Sequence, residues 1–113
     1  HAAVIAARAM KIRTIAVVST SGGAARLMSE YRPEAQIIAL TTNDVTFRRL
    51  ALVWGVEPVH IAPASHFDEE IDLVEETLIS RAFARSGEMI CITMGVPVGS
   101  GAQTNLLKIH TIA

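Results

Sequence analysis

Thr14-Ile15-Ala16-Val17-Val18-Ser19-Thr20-Ser21-Gly22-Gly23 decides the fold. Its first five residues form a short apolar run rich in β-branched side chains, the pattern of a strand buried on both faces. Ser19–Gly23 breaks that run. A helix is expected from Ala24 to Tyr31, with Ser21 as its N-cap and Pro33 closing the region. A doubly buried strand that turns sharply into a helix is the unit whose repetition builds a parallel sheet.

The rest of the chain repeats it. Ile37-Ile38-Ala39-Leu40-Thr41 reads as a second buried strand. Asn43 or Asp44 caps a helix to about Val53, with Phe47, Leu50 and Ala51 on one face and Gly55 at the C′ position. Val56 to Ile61 is a third strand, which Pro58 assigns to an edge or a strand terminus. The longest helix is expected over Phe67 to Ser86, because Ile71, Val74, Leu78 and Ala82 recur at helical spacing. Acidic residues fill its first half and Arg81 and Arg85 its end, which suits the helix dipole, and Gly87 stops it. Asp68-Glu69-Glu70 reads as a solvated first turn. Met89–Met94 is a fourth strand, Gly95–Gln103 a loop, and Thr104–Ile112 a fifth strand. Upstream, Ala2–Met10 is Ala-rich and helical.

Strands that alternate with helices over short connections imply a largely parallel sheet covered on both faces. A loop of about nine residues is too short for a parallel crossover, so the fifth strand turns back. The expectation is a three-layer α/β/α domain with a five-stranded mixed sheet, four strands parallel and the last antiparallel.

Composition agrees. The chain has 113 residues, 50% of them hydrophobic and 19% charged, with a net charge of -1. This length suits one domain over residues 1–113. A mean hydropathy of +0.38 with near-zero charge excludes a disordered chain. The charge balance argues against a nucleic-acid surface, and no apolar stretch approaches the ~20 residues of a membrane span. The single Cys91 excludes an internal disulfide and reads as a small buried hydrophobe. His1 falls inside what reads as a helix already under way, so a fragment or excised domain is expected, without a signal peptide.

Two segments can carry chemistry. Ser19, Thr20, Ser21, Gly22 and Gly23 join a strand end to a helix start, where free N–H groups and a positive dipole end favour a phosphate. The amides of Ser21, Gly22 and Gly23 and the three hydroxyls are the expected donors. A capped tight turn is the plainer alternative. The segment lacks the Gly-Lys-Ser/Thr of a P-loop and the dinucleotide fingerprint. Gly99, Ser100 and Gly101 lie in the loop after the fourth strand, which could share that carboxyl edge; a flexible turn before the last strand is the equally weighted alternative. His1, His60, His66 and His110 lack metal-ligand spacing, so no metal is expected. No nucleophile–base pair is visible, so no catalytic residue is assigned. Trp54 reads as a packing residue.

Ser19-Thr20-Ser21-Gly22-Gly23-Ala24-Ala25-Arg26, Tyr31-Arg32-Pro33, Leu52-Val53-Trp54-Gly55-Val56 and the ending Gly95-Val96-Pro97 through Thr104-Asn105-Leu106 together resemble the C-terminal α/β domain of pyruvate kinase. The resemblance covers nearly all of the chain. It implies a cytoplasmic, homotetrameric parent that transfers phosphate between phosphoenolpyruvate and ADP in glycolysis, using magnesium and potassium in a barrel that these residues do not include. The fragment itself is then expected to be inactive and to need no cofactor. The resemblance further implies a regulatory and oligomerisation role, with a sugar phosphate or nucleotide monophosphate held by Ser19–Gly23 beside Gly99, Ser100 and Gly101. Members activated by a sugar bisphosphate often carry basic residues in these loops, whereas here both loops lack them. A purely structural assembly domain with a vestigial phosphate loop is therefore the alternative.

Overall fold

A computed structural model describes residues 2–95 and 106–113. It contains α1 (Ala2–Met10), β1 (Thr14–Val18), α2 (Gly23–Glu30), β2 (Gln36–Thr41), α3 (Asp44–Leu50), β3 (Val56–His60), α4 (Phe67–Ser80), β4 (Met89–Met94) and β5 (Leu106–Thr111). The strands form one sheet in the order β3-β2-β1-β4-β5. All neighbours are parallel except β4 and β5, which pair antiparallel from Met89↔Thr111 to Met94↔Leu106. This is the expected mixed α/β sheet.

Strand alternation divides the core in two. Ile15, Val17, Ile37, Ala39 and Cys91 face one side with Ala3, Val4 and Ala7 of α1, Ala25 and Met28 of α2, and Leu50 of α3. Ala16, Ile38, Leu40, Ile90, Ile92 and Met94 face the other with Ile71, Val74 and Leu78 of α4. The central strands are buried on both faces because each side is roofed by helix, which is why their sequences are predominantly apolar. Pro58 sits in β3, an edge strand paired only to β2, where the missing N–H costs no ladder bond on the open side.

Several expected boundaries move. The helix expected to reach Ser86 ends at Ser80. Ala82 takes φ +60°, its N–H bonds Ile79 O at 3.0 Å, and Phe83 N–H bonds Leu78 O at 2.8 Å. That is a Schellman closure with Ala where Gly is usual. Arg81 and Arg85 therefore lie past the helix, Ala82 is exposed, and Gly87 (φ +86°) belongs to the turn into β4. The helix expected to reach Val53 ends at Leu50, so Gly55 (φ +68°) is not its C′ residue but turns the chain into β3. Ala51 is exposed rather than on the buried face, and the third strand stops at His60. Asn43 is the α3 cap, accepting Thr46 N–H at 2.9 Å.

The acidic first turn of α4 is not fully solvated. Glu70 is 4% exposed, and burial together with neighbouring Glu69 pushes its carboxyl pKa up. Trp54 is half exposed rather than packed away, with the Arg32 guanidinium 4.6 Å from its ring centroid. Cys91 is buried as expected, and burial pushes its thiol to about 11. Most of the Gly95–Gln103 loop, and Thr104 and Asn105 of the expected fifth strand, lie outside the described residues.

Candidate functional site

The topology selects one place on the sheet for a ligand. From β1 the chain proceeds outward through β2 to β3, then returns past β1 to β4. The winding direction reverses between β1 and β4, and the carboxyl ends of those two strands border the crevice where open α/β sheets bind ligands. Ser19–Gly23 leaves β1 at that crevice. Gly95 follows β4 at the same edge, and Gly99, Ser100 and Gly101 lie outside the described residues.

The loop is tied down at each residue. Ser19 N–H donates to Leu40 O at 3.0 Å, extending the β1–β2 ladder by one bond. Gly22 N–H donates to Ser19 Oγ at 2.9 Å, and Gly23 N–H reaches Ser21 Oγ at 3.4 Å. Thr20 O accepts the Thr46 hydroxyl at 2.6 Å. Gly22, not Ser21, is the N-cap of α2, with φ +80° and ψ 3° and its carbonyl accepting Arg26 N–H at 3.1 Å. A Cβ at Gly22 would stand 3.1 Å from both Leu50 Cδ2 and Thr46 Cγ2. Glycine is needed here for its left-handed backbone and for the close approach of α3.

This geometry redistributes the donors. Gly22 and Gly23 spend their amides inside the loop on Ser19 and Ser21. The next helix amides, Ala24 and Ala25, have no acceptor within α2, because the first four N–H groups of a helix have none. Thr20, Ser21 and Gly23 are exposed and Ser19 is half-buried, so three of the five residues face solvent. Neutral hydroxyls and dipole-aligned amides at a surface can hold an anion weakly.

No local sequence signal announces the support from α3. Thr46 is 7% exposed and lies 26 residues from Thr20, and no local pattern links the two. At the same edge, His60 Nε2 lies 3.0 Å from Asp44 Oδ1, with Phe47 edge-on to the imidazole at 6.1 Å. Both side chains of that contact are substantially exposed. Among the described residues, no group of three or more His, Cys, Asp or Glu side chains could hold a metal ion. No helix among them is long and apolar enough to cross a membrane.

A family model described as "Pyruvate kinase, alpha/beta domain" matches residues 1–110. The chain is 37% identical over 104 residues to a pyruvate kinase of Geobacillus stearothermophilus, covering 92% of the chain and 18% of that protein. It is 36% identical over 112 residues to that of Sporosarcina psychrophila, covering 99% of the chain and 19% of the relative. It is 38% identical over 107 residues to that of Lactococcus lactis subsp. lactis, covering 95% and 21%. The chain thus spans about a fifth of the length of the curated relatives it matches.

Proposed function

The chain belongs to the pyruvate kinase α/β-domain family, and from that premise we propose that it is a regulatory and assembly domain that binds a phosphorylated small molecule at Ser19–Gly23. The parent enzyme in this reading transfers phosphate between phosphoenolpyruvate and ADP, with magnesium and potassium in its catalytic barrel. It works as a homotetramer in the cytoplasm. The domain contributes no catalytic group. Its ligand is a sugar phosphate or nucleotide monophosphate, with the phosphate on the loop and Gly99, Ser100 and Gly101 completing the site from the β4 side.

One observation carries the reading. The hydroxyl-rich loop and the amino end of α2 meet at the point where the winding of the sheet reverses. The donors are neutral, so phosphate alone should bind in the millimolar range, where ~4 kcal/mol of total affinity suffices. Titrating inorganic phosphate, a hexose phosphate and a nucleoside monophosphate while following amide resonances tests this. Saturable shifts at residues 19–25 are expected, strongest at Ala24 and Ala25. Shifts confined to other residues would reject the site. Pyruvate formation from phosphoenolpyruvate and ADP by this chain alone would reject the non-catalytic assignment.

A second reading also has support. The amide of Gly22 is already satisfied by Ser19, and the loop holds no basic side chain, so it could be a vestigial site in a purely structural assembly domain. Absence of any phosphate response at residues 19–25, in a chain that assembles normally, would favour it.

A further inference from the structure

We infer that Thr46, on α3, is the positioning residue that sets the conformation of the Ser19–Gly23 loop, so that the attitude of α3 governs that site. Two contacts made by one side chain carry this. The Thr46 hydroxyl donates to Thr20 O at 2.6 Å, and the Thr46 methyl Cγ2 lies 3.1 Å from where a Cβ on Gly22 would stand. The first fixes the carbonyl of the second loop residue toward α3. The second, with Leu50 Cδ2 at the same distance, crowds any Cβ at the fourth residue, whose φ of +80° already favours glycine. Between them, Ser21 is turned outward to solvent.

Thr46 is itself held rigidly. Its N–H donates to the Asn43 side chain at 2.9 Å, and the side chain is almost wholly buried. The same helical turn meets the end of β3 at the exposed 3.0 Å contact between Asp44 and His60. The loop is therefore referenced to α3 and the β2–β3 side of the sheet as well as to β1. A carbonyl held by a hydroxyl cannot turn outward, and an outward carbonyl would place a negative dipole end where an anion must sit. Releasing Thr20 O should loosen the Gly22 amide and oppose anion binding together. That the loop conformation is the phosphate-receiving one rests on the function proposed above. That Thr46 sets the conformation does not.

The test uses the whole 113-residue chain and two variants. Thr46→Val keeps the shape and the methyl but removes the donor; Thr46→Ser keeps the donor and removes the methyl. Loss of one hydrogen bond predicts that Thr46→Val speeds amide exchange at Gly22 and Gly23 about fivefold and raises the inorganic phosphate dissociation constant by a similar factor. Exchange at Ile38 and Ile92 in the sheet should not change, and Thr46→Ser should restore both loop readings. Unchanged exchange at Gly22 and Gly23 in Thr46→Val would overturn the inference. So would faster exchange across the whole sheet, or a serine variant that behaves like the valine one. If the valine variant does not fold, Thr46→Ala set against Thr46→Ser supplies the same reading, because those two differ only in the hydroxyl. If the unaltered chain shows no phosphate response, the proposed effector site fails, while the exchange data still decide the role of Thr46.

Discussion

Glu75 on α4 and His110 on β5 are joined across the domain, with Oε2 of the carboxylate 2.9 Å from Nε2 of the imidazole. The other oxygen, Oε1, accepts the Ala113 N–H at 2.8 Å. One carboxylate thus anchors both the last strand and the backbone beyond it to the helix that covers that face. The bond from His110, followed by the Ala113 amide, holds the Glu75 carboxyl below its ordinary value of 4.5.

The lowered value belongs to the folded state, so ionised Glu75 stabilises the fold above the ordinary carboxylate range. That contribution falls away as pH drops through the folded value. Glu75→Gln should cost about 1 kcal/mol at pH 7, the scale of a partly exposed charge-assisted hydrogen bond. The gap to the unaltered chain should close as the pH is taken below 4.5. Urea unfolding at pH 7, 5 and 3 measures it. A gap that persists undiminished at pH 3 would show that the carboxylate charge is not the stabilising element.

Gly22 and Gly55 separate two costs of adding a methyl group. Both have positive φ, at +80° and +68°. A Cβ on Gly55 meets nothing within 4 Å, whereas one on Gly22 meets Leu50 and Thr46 at 3.1 Å. Gly55→Ala should cost about 1 kcal/mol from backbone strain alone. Gly22→Ala should cost about 2–4 kcal/mol, because the strain is joined by overpacking against α3. Thermal melts of the two variants side by side give the comparison. Equal losses would mean that α3 yields freely at this contact.

Ala82 shows where the sequence could be read and where it could not. The central strands were legible because β1, β2 and β4 are apolar runs interrupted by only a few polar residues, and the reversal of β5 followed from loop length alone. Pro58 pointed to an edge or a strand terminus, and β3 proves to be an edge strand. The end of α4 was not legible. Ala82 continues the Ile71, Val74, Leu78 spacing, and alanine is the best helix former, yet here it takes the left-handed position after the helix. Lys11 and Arg32 do the same after α1 and α2, at φ +56° and +45°. Closure bonds such as Phe83 N–H to Leu78 O and Ile12 N–H to Ala7 O, both 2.8 Å, outweigh the local penalty, and no glycine marks these ends. The Ser19–Gly23 turn between β1 and α2 was legible from its hydroxyls and glycines, but its bond to α3 was not, because Thr46 reaches Thr20 only through the tertiary fold.

Ala82→Gly follows from that account. Glycine adopts the left-handed region without a Cβ penalty, and the residue is exposed, so no packing is lost. The variant should gain about 0.5–1 kcal/mol, visible as a higher urea midpoint with an unchanged slope. A loss of stability would mean that unfolded-state entropy outweighs the relieved strain.

Thr93 is the last case. It stands next to the end of β4, beside Val17 of β1 and Leu107 of β5, and is 1% exposed. Its Oγ1 is the one buried side-chain oxygen or nitrogen among the described residues without a hydrogen-bond partner. Ile90, Ile92 and Met94 point toward α4, so strand alternation aims Thr93 at the other face, among the side chains around α1 and α2. A buried hydroxyl without a protein partner among the described residues costs about 1–3 kcal/mol. Valine has nearly the same shape without the polar atom. Thr93→Val should therefore leave the fold intact and raise stability by about 1 kcal/mol, read as a higher melting temperature in calorimetry. If the variant instead loses 1 kcal/mol or more, the hydroxyl has a partner in solution, and ordered water at the β1–β4 crevice becomes the first place to look for it.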